Sequence, residues 1–154
     1  MDTICEYLRH DHQRCDDVFC QAETSVAQRD WDAAREHFRR YQDMLRQHIR
    51  MEEKVLLPAF QLAIADSAMP VAMLRMEHQQ IHGIVHRMWD ALERFNTVDY
   101  ILHAETLTLL MQQHTMKEEE MLYPLLDKIM AGKRNLIISA MAEYLEPESG
   151  VAAS

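Results

Sequence analysis

Glycine and proline are scarce, at three and four residues in a chain of 154, so few points can interrupt a helix. The common residues are instead Met, Leu, Ala, Glu, Gln and Arg, which lose little rotamer freedom in a helix. Basic charge is also short. The 16 Lys and Arg stand against 25 Asp and Glu, a net charge of −9 with neutral His. That balance argues against a nucleic-acid surface, which needs a basic patch, and suits solubility. No stretch approaches the roughly 18 uninterrupted apolar residues of a membrane span. Asp2, Glu6, Arg9, Asp11, Asp16 and Asp17 leave the first twenty residues without an apolar signal region. The expected setting is cytosolic. Cysteine is limited to Cys5, Cys15 and Cys20, odd in number and clustered near one end. They read as buried thiols, not a disulfide framework.

What is present is helical periodicity. Thr3 can cap a first helix to about Gln28, with Ile4, Leu8, Cys15, Val18, Phe19, Ala22 and Val26 at helical spacing. Asp30 caps a second, through Trp31, Phe38, Tyr41, Leu45, His48 and Leu56 to Ile64, with Pro58 expected to bend or end it. The segment Asp66-Ser67-Ala68-Met69 is a turn, and Pro70 sits where a first helical residue tolerates proline. A third helix reaches about Phe95, and Asn96-Thr97-Val98-Asp99 turns the chain again. A fourth runs to about Met130, interrupted near Pro124, with Gly132 as its cap. A short helix over Asn135 to Leu145 precedes a tail, Pro147 to Ser154. Short connections predict an all-α, up-down-up-down antiparallel four-helix bundle with a short C-terminal helix. Residues 1–146 form the bundle domain and 147–154 a flexible tail.

The informative feature is an internal repeat at an offset of 66. His12 becomes His78, and His48, Glu52 and Pro58 become His114, Glu118 and Pro124. Leu8, Arg9, Asp11, Gln13, Gln47, Glu53 and Leu56 map onto Leu74, Arg75, Glu77, Gln79, Gln113, Glu119 and Leu122. The chain is two helical hairpins, each with one His on its first helix and His-x-x-x-Glu on its second.

Residues four apart on a helix differ by about 40° in direction and about 6 Å in height. A His and a Glu so placed reach one point beside the helix. Two hairpins about an approximate two-fold axis bring two such pairs together. Each pair supplies an imidazole to one metal and a carboxylate that can bridge to the other. Imidazole with carboxylate, and no cysteine in the pattern, suits iron better than thiolate-preferring metals. Two metals about 3.5 to 4 Å apart are a recurring reactive unit. These positions share stripes with Leu45, Leu56, Leu74, Ile81, Leu110 and Leu122, where five His (His82 included) and two Glu would be costly unless paired or bound to metal.

A lone His on an apolar face is usually a satisfied core side chain, and one His-x-x-x-Glu is weak. Two copies with a proline and a further His at matching distances are strong. His82, four residues after His78, has Asp16 at its repeat position. It either adds a seventh ligand, making the metals unequal, or supports a ligand from behind. His86 reads as packing or solvated, and His10, His37 and His103 as surface residues. Met44, Met76, Met88, Met111 and Met116 read as core filling, not soft-metal ligands.

Asp11-His12, HIRMEEKVLLP, EHQQIH and HTMKEEEMLYP resemble the motifs of the hemerythrin and HHE cation-binding family, over about residues 1 to 130. The resemblance implies two Fe ions in an oxo- or hydroxo-bridged di-iron centre. His78, His82 and His114 would hold one iron and His12 and His48 the other, with Glu52 and Glu118 bridging. An open position on the second would take O2, NO or peroxide. Oxygen carriers of the family have an aspartate five residues after the last His, here Glu119. Glu118 repeats Glu52 and is preferred, with Glu119 the alternative. Cluster-repair relatives carry an additional cysteine-containing N-terminal domain, and sensor members are fused to signalling or ligase domains, neither of which is seen here. The implied function is a non-haem di-iron protein that binds O2 or NO reversibly for sensing, delivery or protection. The rivals are a di-iron enzyme acting on NO or peroxide or repairing iron clusters, and simple iron or zinc sequestration. No downstream protein partner is legible.

Overall fold

Thr3 opens the first helix as expected: its hydroxyl accepts the Glu6 amide at 3.0 Å, satisfying one of the donors a helix start leaves free. The computed structural model describes residues 3–145, and no strand occurs among them. Helix α1 spans Ile4–Ala27. Helix α2 runs Trp31–Met51, passes through a π turn at Glu52–Leu56 and resumes as Leu57–Ala63. Helix α3 is Ala68–Glu93. Helix α4 runs Thr97–Lys117, passes a π turn at Glu118–Leu122 and resumes as Tyr123–Ile129. A short α5, Arg134–Ala142, follows a single 3-10 turn.

The 66-residue offset governs these boundaries as well as the ligands. Ala27 and Glu93 end α1 and α3, Trp31 and Thr97 begin α2 and α4, and both π turns sit at the same offset. The turns match atom for atom. Arg29 and Phe95 take positive φ of 57° and 54°. The following amides, of Asp30 and Asn96, reach back to the Ser25 and Ala91 carbonyls at 3.0 and 2.9 Å. This left-handed closure satisfies carbonyls at the helix end. The Asp30 and Asn96 side chains then cap the next helix through the amides of Ala33 and Asp99. The chain therefore reverses within three residues, and α1 packs along α2 and α3 along α4.

The two hairpins meet where α2 crosses α3 and α1 lies on the last part of α4. Asp127 fixes the second contact. Its carboxylate accepts the Ile4 and Cys5 amides at 2.7 and 3.0 Å, capping α1 from the opposite hairpin. Helix α5 closes that end of the molecule against α1 and the α2 π turn.

The apolar core is split in two. One part joins Val18, Ala22, Phe38, Tyr41, Leu45, Ile81, Met88, Tyr100 and Leu107. The other joins Ile4, Leu8, Met51, Leu56, Phe60, Val71, Leu74, Tyr123, Leu126 and Met141. Between them lies the layer of buried His and Glu.

Several expectations are corrected. Pro58 does not end its helix, whereas the interruption expected near Pro124 is present as the π turn just before it. Each follows a π turn as the second residue of the resumed segment, where its missing N–H is harmless. Pro70 is the third helical residue, still within the first turn. Gly132 lies inside the 3-10 turn. Met88 is fully buried, but Met76 and Met116 face outward, 59 % and 57 % exposed. Cys15 alone is buried, while Cys20 is exposed and Cys5 half-buried, and all three thiols are free. Burial pushes the Cys15 thiol up to about 12, leaving it inert. The tail expected over 147–154 lies outside the described residues. No helix among the described residues is long and apolar enough to cross a membrane.

Candidate metal centre

The site starts from the π turns. In each, the amide at the exit reaches back five residues, Leu57 to the Glu52 carbonyl and Tyr123 to that of Glu118. The turn accommodates a proline two residues after its end without opening the helix, and Glu52 and Glu118 stand at its first position. One α-helical turn earlier, His48 and His114 face the same way. His12 on α1 and His78 on α3 complete the layer. All six side chains are buried.

These six converge. His48 Nε2 and His78 Nε2 lie 3.4 and 3.3 Å from Glu52 Oε1. His12 Nε2 lies 3.4 Å from Glu118 Oε1, and His114 Nε2 lies 3.1 Å from Glu118 Oε2. Two donor groups result, each with its ligand atoms within 4.8 Å of one another: Glu52, His78, His114 and Glu118, and His12, His48 and Glu118.

A second carboxylate stands behind every imidazole. His48 Nδ1 donates to Asp11 Oδ2 at 2.7 Å and His114 Nδ1 to Glu77 Oε1 at 2.7 Å. His78 Nδ1 donates to Glu53 Oε2 at 2.8 Å and His12 Nδ1 to Glu119 Oε2 at 3.1 Å. An ionised carboxylate only accepts, so Nδ1 carries a proton, and a ring that gives up its other proton presents its Nε2 lone pair inward. That tautomer and orientation are what a metal-ligating imidazole needs. Sequence reading paired Asp11 with Glu77 and Glu53 with Glu119 but gave three of these four no role. Their repeat offset was the available signal. Glu119 lies behind His12, also bound by Arg9 at 2.7 Å, whereas Glu118 points into the cluster.

The electrostatics follow from this packing. Burial disfavours a charged His48, yet Glu52 and Asp11 hold its pKa well above the ordinary value. The same contest, burial against Glu118, Glu52 and Glu77, lifts His114 to about 9. His78 is raised too, with Glu52 and Glu53 outweighing burial. Burial would raise the Glu52 carboxyl, but the His48 and His78 imidazoles beside it hold it well below its usual range. Tyr123 is pushed far up by burial and by the Glu118 and Glu52 charges, so its phenol keeps its proton.

The donors fit a metal on an observation of their own. His48 Nε2, His78 Nε2, Glu52 Oε1 and Glu118 Oε1 are buried without a hydrogen-bond partner, and all four face the same space. Buried polar atoms are seldom left so. Four inward orphans, each on a side chain held from behind or by its helix, form a nitrogen and oxygen cage suited to iron or zinc.

His82 is not brought into either group. It is half-buried on α3, and its pKa is lowered by burial and by the neighbouring His78. His86 is exposed, 3.8 Å from Asp90. The residue sequence reasoning missed is Tyr123, whose hydroxyl donates to Glu52 Oε2 at 2.7 Å. A groove of about 630 Å³ between α1 and α4 reaches the layer beside Glu119, floored by Phe19, Tyr41, Leu107 and Met111.

A family model described as hemerythrin HHE cation binding domain matches residues 3–126. No curated protein and no solved structure matches the chain.

Proposed function

The chain belongs to the hemerythrin HHE cation-binding family, and from that membership we propose that it holds two iron ions and binds O2 or NO reversibly, for sensing, delivery or protection. The observation that carries the reading is the set of inward orphans: two imidazole nitrogens and two carboxylate oxygens, buried together without partners. A mixed nitrogen and oxygen set on a two-fold repeat supports a pair of borderline metals, of which iron suits this donor mixture. Bound iron would supply the electrons and the open coordination position that a diatomic gas requires.

The residues of the chain do the rest. His12, His48, His78 and His114 present Nε2; Glu52 and Glu118 present carboxylate oxygens between them. Asp11, Glu53, Glu77 and Glu119 hold the rings from behind. The two apolar cores keep bulk water from above and below the layer, and the groove beside Glu119 gives a small molecule a lateral route. Two antiparallel hairpins set face to face correspond to an up-down-up-down bundle, with residues 1–146 acting as one domain. Three free thiols support a reducing, cytosolic setting.

The test is anaerobic reconstitution with ferrous iron, followed by metal analysis and optical spectra on adding O2 or NO. The expected result is about two ions per chain and an optical change that reverses when the gas is removed. Sustained turnover of NO or peroxide would make the protein an enzyme instead. A spectrum indifferent to both gases would leave sequestration as the function.

A further inference from the structure

The repeat that supplies the donors should make the two metal positions alike, and they are not. Adding 66 turns His12 and His48 into His78 and His114 and turns Glu52 into Glu118. The counterpart of the group Glu52, His78, His114 and Glu118 would be Glu118, His12, His48 and Glu52. The second group lacks Glu52.

The cause lies at one position of the repeat. The residue that resumes the helix after the π turn is Leu57 in the first hairpin and Tyr123 in the second. Leu57 offers no polar atom. The Tyr123 phenol is fully buried, donates to Glu52 Oε2 at 2.7 Å, and stands 3.4 Å from His12 Nε2. Glu118 therefore keeps both oxygens for the imidazoles, Oε1 toward His12 and Oε2 toward His114. Glu52 keeps only Oε1, which has no hydrogen bond and faces His48 and His78. A hydrogen bond from a buried hydroxyl to a carboxylate is charge-assisted, and breaking it would leave the hydroxyl only its longer contact with His12 Nε2.

We propose that Tyr123 is a positioning residue that makes the two metal positions unequal. By holding Oε2 of Glu52, it leaves that carboxylate a single free oxygen, Oε1, to serve both sides, where Glu118 has one oxygen for each. The position at His12, His48 and Glu118 is left one protein donor short, and a small ligand enters there, beside the Tyr123 hydroxyl. The inference rests on the paired-metal reading.

Stepwise titration of the metal-free full chain with Co(II), followed by its optical bands, separates the two ideas. The parent protein takes up two ions in distinct steps, the second weaker by roughly ten- to hundred-fold, the range that outer partners of metal ligands command. In Tyr123→Phe, which removes only the hydroxyl, Oε2 of Glu52 is released and the second step tightens toward the first. Tyr123→Leu, which copies residue 57, behaves the same way. A capacity of one ion overturns the paired-metal reading and this inference with it. Two ions bound in indistinguishable steps by the parent, or an unchanged gap in Tyr123→Phe, overturn the inference alone. Mössbauer spectra of the iron-loaded parent give a check needing no variant: two environments of equal area are expected, and a single environment contradicts the proposal.

Discussion

Asp11 accepts the Nδ1 proton of His48 at 2.7 Å, and 66 residues later Glu77 does the same for His114 at the same distance. The duplicated unit is thus a ligand together with the group that aims it. Asp11→Asn and Glu77→Gln should each weaken metal binding by about ten- to hundred-fold while leaving helix content unchanged. Competition against a chelator measures this. Unchanged affinity would mean that the rings are aimed by packing alone.

Stability of the metal-free protein should depend on pH with a definite sign. His48, His78 and His114 have raised pKa values, so their contribution is complete below the ordinary imidazole value of 6.5 and is lost as pH rises. For His114 the loss centres on about 9. Glu52 is depressed, so its contribution holds above the ordinary 4.5 and fades only in acid. The midpoint of thermal unfolding should fall between pH 6.5 and 9 in the metal-free chain. Metal uptake should run the opposite way, strengthening as pH rises, because bound imidazoles must release their protons. A pH-stat would record that release at neutral pH.

Glu118 and Glu119 are adjacent but differently placed, one inside the cluster and one behind His12. Glu118→Ala should abolish binding of at least one ion. Glu119→Gln should retain two ions and weaken uptake. The reverse order in a metal analysis would assign the inner role to Glu119.

His82→Ala should keep both ions, since His82 belongs to neither donor group. Loss of one equivalent on substitution would make it a seventh donor.

Arg29 is exposed and left-handed, a conformation that costs a side-chain-bearing residue about 1 kcal/mol relative to glycine. Arg29→Gly should raise the unfolding midpoint by roughly 2–4 °C for a chain of this size. Phe95 is a poorer choice despite its equal φ, because its ring meets Trp31 at 5.5 Å and Arg35 at 5.4 Å. Circular dichroism melting of both variants separates the two terms.

Much of this arrangement is legible in the amino-acid sequence because it repeats. His12, His48, Glu52, His78, His114 and Glu118 occupy fixed places in a duplicated pattern, and helical spacing puts them on inward stripes. The repeat also hides things. Tyr123 stands opposite Leu57, and a reading built on correspondence passes over the position where correspondence fails. The π turns escaped because proline signals a break, while an extra residue per turn absorbs it without one. Met76 and Met116 fit a helical period, but that period cannot say which face is left uncovered.

The carboxylates behind the imidazoles also carry information about the order of assembly. Asp11–His48 and Glu77–His114 lie within a hairpin, so each half can set one ring before it meets the other. Glu119–His12 and Glu53–His78 run between hairpins, so those rings are set only on docking. A hairpin alone offers one aimed nitrogen and one glutamate, too few to retain an ion firmly. Firm metal capture is thereby expected only once the halves have joined, and a nascent chain with only its first half made would be a poor trap for stray cations.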